Sequence, residues 1–301
     1  MLQYAKTDWL HMLVSPRGSF SPGLMRRVFA FGGIATLLWL AHRFDHRIVL
    51  NIGPYEVAGA VVALILAFRT NTSYHRFWEG RTLWGSIVNA SRNLARVART
   101  HAAIDADEAR ALVTWVVVFA HASRRALRNE AERPEIDRLL PEAPRAALAA
   151  NPHPALFAAT QVSAMLADIT RRGALDPMMA ARAEEEVCAL VNCLGGCERI
   201  RKTPTPLGYV LLLRRMVALY LATLPLSLVE ALGVLTPVVT MMVTYSVLMI
   251  EGIGQELDDP FGHDPNDLPL SHICDTIERD LLGSSSLELV LASTSHLPYE
   301  D

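Results

Sequence analysis

Four stretches of the chain carry apolar residues with almost no polar interruption, and they come in two pairs. Residues 28–41 hold no charge and are opened by Arg26 and Arg27. Residues 48–68 follow a short polar loop, with Glu56 as their only charged side chain. The second pair lies within residues 216–250, a run interrupted by one charge, Glu230. A helix needs roughly 20 apolar residues to cross about 30 Å of hydrocarbon. Residues 216–250 therefore make two crossings only if both are short or tilted, or if residues 207–213 add to the first. Pro225 and Glu230 fall near the middle, where a turn at the far face is expected.

A core helix of a water-soluble protein shows a polar stripe every third or fourth residue. Residues 57–68 (VAGAVVALILAF) have none, and residues 232–250 offer only Thr, Ser and Tyr. Four membrane spans are the expectation. The first is not a cleavable leader, because it starts late and no small-residue cleavage pattern follows it.

Between the pairs, residues 69–207 read as helices. Apolar positions recur at steps of three or four across residues 89–122, and 113–119 (VTWVVVF) are too short to span and predict a buried helix face. Pro134, Pro141, Pro144, Pro152 and Pro154 cut the middle into short pieces. Helices are predicted again over 156–169 and 176–194, the latter with Asp176 as N-cap and Pro177 in its first turn. No run alternates as a strand would, so the fold class is all-α.

Composition agrees with a membrane protein: 51% of residues are apolar and 20% charged, against about 25% charged in a typical soluble domain. Charge is segregated. Residues 1–27 carry four basic groups and one acidic, residues 69–207 carry 19 and 15, and residues 251–301 set Arg279 against twelve carboxylates. A nucleic-acid binder concentrates basic charge on one surface, so nucleic acid is not an expected partner. The positive-inside rule places both termini and the middle segment in the cytoplasm of a bacterial inner membrane. Five segments follow: a cytosolic start (1–27), two spans (28–68), a cytosolic helical region (69–207), two further spans (208–250) and an acidic cytosolic end (251–301), of which 283–301 are expected to form a mobile arm.

Catalytic chemistry finds little support. There is no Gly-x-Ser-x-Gly, phosphate loop or metalloprotease helix. His11, His42, His46, His75, His101 and His121 avoid the four spans, which argues against a haem-bearing membrane enzyme. Cys188, Cys193 and Cys197 have no histidine at ligand spacing, and the Cys-Leu-Gly-Gly-Cys run is expected at a helix-to-loop transition. No cofactor is expected.

Three blocks remain: residues 68–96 (FRTNTSYHRFWEGRTLWGSIVNASRNLAR), 197–209 (CERIRKTPTPLGY) and 251–270 (EGIGQELDDPFGHDPNDLPL). In this order around four spans, they resemble the prokaryotic branch of the bestrophin family. That resemblance implies a homopentamer whose five second helices line one pore through the membrane, continued by a cytosolic helical assembly. It implies passive conduction of small monovalent ions, chloride and other anions in animal relatives, with cation conduction open in the prokaryotic branch. A non-conducting scaffold or accessory subunit is the alternative. Carried over by position from Arg76-Phe77-Trp78, the narrow neck falls at Ala60, Leu64 and Phe68. The family favours three bulky apolar residues there, so Ala60 implies a wider outer end. The cytosolic aperture falls at Met178, after the Asp-Pro pair.

A ring of apolar side chains gates because narrow apolar walls shed water. Arg69, Arg76 and Arg81 follow the neck, either as a collar attracting anions or as surface anchors paired with Glu79 or the acidic end. Glu230 suits a turn at the outer surface, where it adds a cation-attracting charge to the mouth. Trp78 and Trp84 suit interface anchoring or packing. Asp258, Asp259, Asp264 and Asp267, with Glu256, supply oxygens of the kind calcium prefers, without the spacing of a twelve-residue calcium loop. The expected partners are further copies of the chain, membrane lipids and the permeant ions.

Overall fold

The computed structural model describes residues 22–47, 49–132 and 134–283. The N-terminal basic residues Lys6 and Arg17 and the arm at 284–301 lie outside the described residues. Among the described residues every regular element is helical. In chain order these are α1 (Pro22–Phe44), α2 (Ile52–Thr100), α3 (Ala106–Arg128), α4 (Pro134–Leu139), α5 (Glu142–Ala150), α6 (Pro154–Arg171), α7 (Pro177–Lys202), α8 (Leu207–Leu232), α9 (Thr236–Asp258) and α10 (Leu270–Leu282).

The chain divides into two compact units. The first comprises described residues up to 77, with 204–260 and 264–267. It holds three segments long and apolar enough to cross a membrane: Pro22–Phe44, Ile52–Thr100 and Leu207–Asp258. The last is folded as α8 and α9, joined by a single 3-10 turn, Gly233–Leu235. Gly233 sits at φ +51°, where only a residue without Cβ is comfortable. The turn thus comes after Pro225, which lies inside α8, and not at it. The two helices run antiparallel, because Arg214 in α8 reaches Glu251 in α9 across the hairpin.

Val62 and Leu66 of α2 pack with Leu213, Val217 and Leu221 of α8, and Phe31 and Val247 close over them. Two glycines permit close approaches. A Cβ at Gly32 would meet the Met241 side chain at 2.6 Å, and one at Gly59 would meet the Tyr220 hydroxyl at 2.8 Å.

The second unit comprises described residues 78–132 and 134–203, with 261–263 and 268–283. Helix α3 is its spine, contacting α4, α6, α7 and α10. Asp105 caps it by accepting from the Glu108 N–H at 2.7 Å, and Asn129 ends it in the left-handed region at φ 54°. The run expected to be buried is buried: Val113, Val116, Val117, Val118 and Phe119 have no exposed surface. Asp176 caps α7, as its sequence predicts, accepting from the N–H groups of Met178 and Met179.

The helical recurrence over residues 89–122 falls on the end of α2 and most of α3, with a break at 101–105. One local expectation is corrected. Cys193 to Cys197 lie within α7, which continues to Lys202. Gly196 lets that helix pack closely, since a Cβ there would come within 2.8 Å of a Leu83 methyl. Burial in this tight seam pushes the Cys197 thiol up to about 12, which leaves it without thiolate reactivity.

Candidate functional site

Helix α2 is 49 residues long without a break. In the first unit its periodicity separates two faces. Val62, Leu66, Arg69 and Ser73 are buried. The opposite face carries Ala60, Leu64 and Phe68, all exposed, with Leu64 at 55% and Phe68 at 60%. A spacing of four holds these three on one stripe of a helix. Below Phe68 the same stripe turns polar, through Asn71, Thr72 and His75. Among the described residues no element covers it.

The residue after Phe68 points the other way. Arg69 is 4% exposed, and its Nη1 donates to Glu251 Oε1 at 2.9 Å; Glu251 is itself 6% exposed. Arg214 adds its Nε to the same oxygen at 3.3 Å and its Nη2 to Gln255 Oε1 at 2.8 Å. Removing one partner from such a buried pair leaves a desolvated charge. The pair therefore ties the turn below Phe68 to α9 and resists rotation of α2. Arg76 pairs with Asp258 at 3.0 Å, and Thr205 donates to that same carboxylate at 2.6 Å. Two of the three arginines below the stripe thus engage the acidic end of the chain. Arg199 pairs with Glu79 at 2.5 Å.

Met178 belongs to the second unit and is 74% exposed in the first turn of α7. Its backbone N–H donates to Asp176 Oδ1 at 2.8 Å, which fixes where the side chain leaves the helix. Glu230 is exposed in the last turn of α8, three residues before the 3-10 turn. Trp84 is fully buried, whereas Trp78 is exposed.

The four aspartates of the acidic segment have separate surroundings. Asp258 is held by Arg76 and Thr205, as above. Asp259 closes α9, its N–H donating to Glu256 O at 3.3 Å. Asp267 is 4% exposed and accepts from the Asp264 N–H at 2.7 Å. Burial, with Asp264, Asp259 and Glu256 close by, pushes the Asp267 carboxyl up to about 6. Asn266 donates to Glu256 at 2.6 Å. Among the described residues no three His, Cys, Asp or Glu side chains converge on a metal-sized site.

Two clusters carry more than their sequence signals. Glu251 is legible only as the first acid after the apolar run. Its signal is position, since it falls at the end of one span where Arg69 ends another. The second cluster is in the other unit, where Arg124 holds Glu130 and Glu135 and buried His121 meets Glu278 at 3.1 Å. Burial holds the His121 imidazole below its ordinary value against the opposing pull of Glu278.

These features define an all-α integral membrane protein, with apolar helices that leave large side chains uncovered and ion pairs gathered at one end of the spans. The chain belongs to the bacterial/fungal bestrophin family, whose model matches residues 1–283. A voltage-dependent anion channel-forming protein of Nostoc sp. is 36% identical over 287 residues, covering 94% of both chains. The voltage-dependent anion channel-forming protein YneE of Escherichia coli K12 is 32% identical, covering 94% of this chain and 93% of its own. Among solved structures, a bacterial bestrophin homolog from Klebsiella pneumoniae matches with a TM-score of 0.84 at 31% identity. It covers 87% of this chain and 98% of its own.

Proposed function

We propose that the protein is an anion-conducting channel, a homopentamer in which five α2 helices present Ala60, Leu64 and Phe68 to a common axis. The single observation that carries this reading is the uncovered apolar stripe on α2, lying back to back with a buried ion pair that fixes its direction. Relatives named as anion channel-forming over nearly the whole chain support the choice of ion.

Conduction is passive. Rings of Leu64 and Phe68 form the apolar restriction, because an ion stripped of water between oily walls meets a steep barrier. Ala60 leaves the outer end wider. Met178 forms the second, cytosolic restriction, with a side chain flexible enough to alter its bore. In this arrangement α1, the first half of α2, α8 and α9 make four crossings of the inner membrane, with both termini, residues 69–207 and residues 251–301 in the cytoplasm. Glu230 then stands at the outer mouth. Arg69 is not a collar facing the ion, since it is committed to Glu251.

The test is reversal potential across a salt gradient for purified protein in planar bilayers, alongside its subunit stoichiometry. A pentamer whose potential follows the chloride gradient supports the reading. A potential following the cation keeps the pore and reverses its selectivity. A monomer or dimer that leaves the bilayer tight identifies a scaffold. Leu64→Ala with Phe68→Ala should raise single-channel conductance several-fold, and unchanged currents would reject this neck.

A further inference from the structure

We propose that α1, α8 and α9 form a binding site for an anionic phospholipid, with its phosphate on Arg27 and Arg214 and an acyl chain beneath. A groove of about 240 Å³ lies among these helices, lined by Phe31, Val217, Ala218, Leu221 and Leu248 and closed at one end by Arg27, Arg214 and Glu251. All of its lining belongs to the membrane unit. One end is thus oily and the other basic, the division of a phospholipid itself.

The charge at the basic end favours an anion. Glu251 is already engaged by Arg69 and Arg214, so three guanidinium groups including Arg27 face one carboxylate. The adjoining cleft carries acids as well, Glu256, Asp258, Asp259 and Asp264, of which Asp258 is paired with Arg76 and Glu256 accepts from Asn266. The basic character is thus confined to the rim where Arg27 and Arg214 line the groove. Arg214 keeps about half of its side chain exposed while touching Glu251, which leaves donors available to a phosphate. Basic pockets between spans on the cytoplasmic side have the chemistry to hold lipid headgroups. Occupancy would also reach the ion path, if α2 lines it as proposed above, because the Arg214 that binds phosphate shares its carboxylate oxygen with Arg69, next to Phe68.

Binding itself is independent of conduction and is measured directly. The full-length protein in detergent is titrated with phosphatidylglycerol, phosphatidylcholine or inorganic phosphate, and retained lipid is read by native mass spectrometry. The site predicts retention of phosphatidylglycerol over phosphatidylcholine. Arg27→Gln with Arg214→Gln should weaken that retention roughly 30-fold, the equivalent of about 1 kcal/mol for each arginine. Arg26→Gln with Arg215→Gln removes equal charge from positions that do not line the groove and should leave retention unchanged. Ala218→Trp fills the groove while keeping every charge and should abolish retention. Equal loss in both arginine pairs would reduce the effect to general surface charge and overturn the site. So would equal retention of the two lipids, or competition by inorganic phosphate at lipid-like concentration. Retention that survives Ala218→Trp would likewise reject the acyl groove.

Discussion

The two units bury their apolar residues by opposite rules. In the second unit α3 encloses Val113, Val116, Val117, Val118 and Phe119 completely. In the first, Phe29, Leu37, Leu219 and Met242 stand exposed on helices with few buried positions. Against water such surface would drive aggregation; against hydrocarbon it costs nothing. The solvent thus decides what counts as inside, and stability in the first unit must come from packing and polar pairing. Its close glycine contacts, Gly32 on Met241 and Gly59 on Tyr220, and the Arg69–Glu251 pair are the places where that shows.

This contrast is open to attack at several points. The largest effect is expected from Phe119→Ala, which should cost about 3–5 kcal/mol through a cavity in the second unit. Leu219→Ala, which removes an apolar side chain of similar hydrophobicity from an exposed site, should barely shift thermal unfolding in detergent. Comparable losses from the two would erase the distinction between the units. Glu251→Gln is expected next, at about 3 kcal/mol, because it leaves Arg69 buried without its counter-charge. The double change Arg69→Met with Glu251→Met should recover most of that, since apolar residues of similar volume need no partner there. A double variant no more stable than Glu251→Gln would refute the pairing account.

A smaller effect concerns acid. Burial lowers the folded pKa of His121, so the unfolded chain takes up its proton first as pH falls through about 6.5. The folded state therefore loses stability on acidification until its own imidazole titrates. His121→Gln removes that titration while keeping an N–H for Glu278. Between pH 7.5 and pH 5.5 the unfolding temperature should fall less for this variant than for the native protein. Parallel slopes would show that His121 is not the responsible group.

Much of the fold was legible because its signals are local. Uninterrupted apolar runs marked the membrane helices, Asp176-Pro177 marked the start of α7, and VTWVVVF marked a buried face. The boundaries were less so. Of Pro225 and Glu230, near which a turn was expected, Glu230 stands just before the turn at Gly233–Leu235. Pro225 instead lies inside α8, because a proline in an apolar helix is tolerated where neighbours surround it. Cys-Leu-Gly-Gly-Cys suggested a helix end, yet its second glycine, Gly196, serves close packing against Leu83. At the candidate site, spacing alone put Ala60, Leu64 and Phe68 on one face. What spacing leaves open is which face the fold covers, and that depends on α8 packing over Val62 and Leu66. The Arg69–Glu251 pair joins positions 182 residues apart, a contact that no local pattern encodes.

The central claim is that one face of α2 meets the ion and the other does not. Single cysteines at Ala60, Leu64, Phe68, Val62 and Leu66, each probed with a charged thiol-reactive reagent during bilayer recording, test it directly. Native currents, with the four native cysteines in place, set the baseline. The account predicts that modification at 60, 64 and 68 alters the current while 62 and 66 stay silent. Equal sensitivity on both faces, or none at 64 and 68, would contradict it.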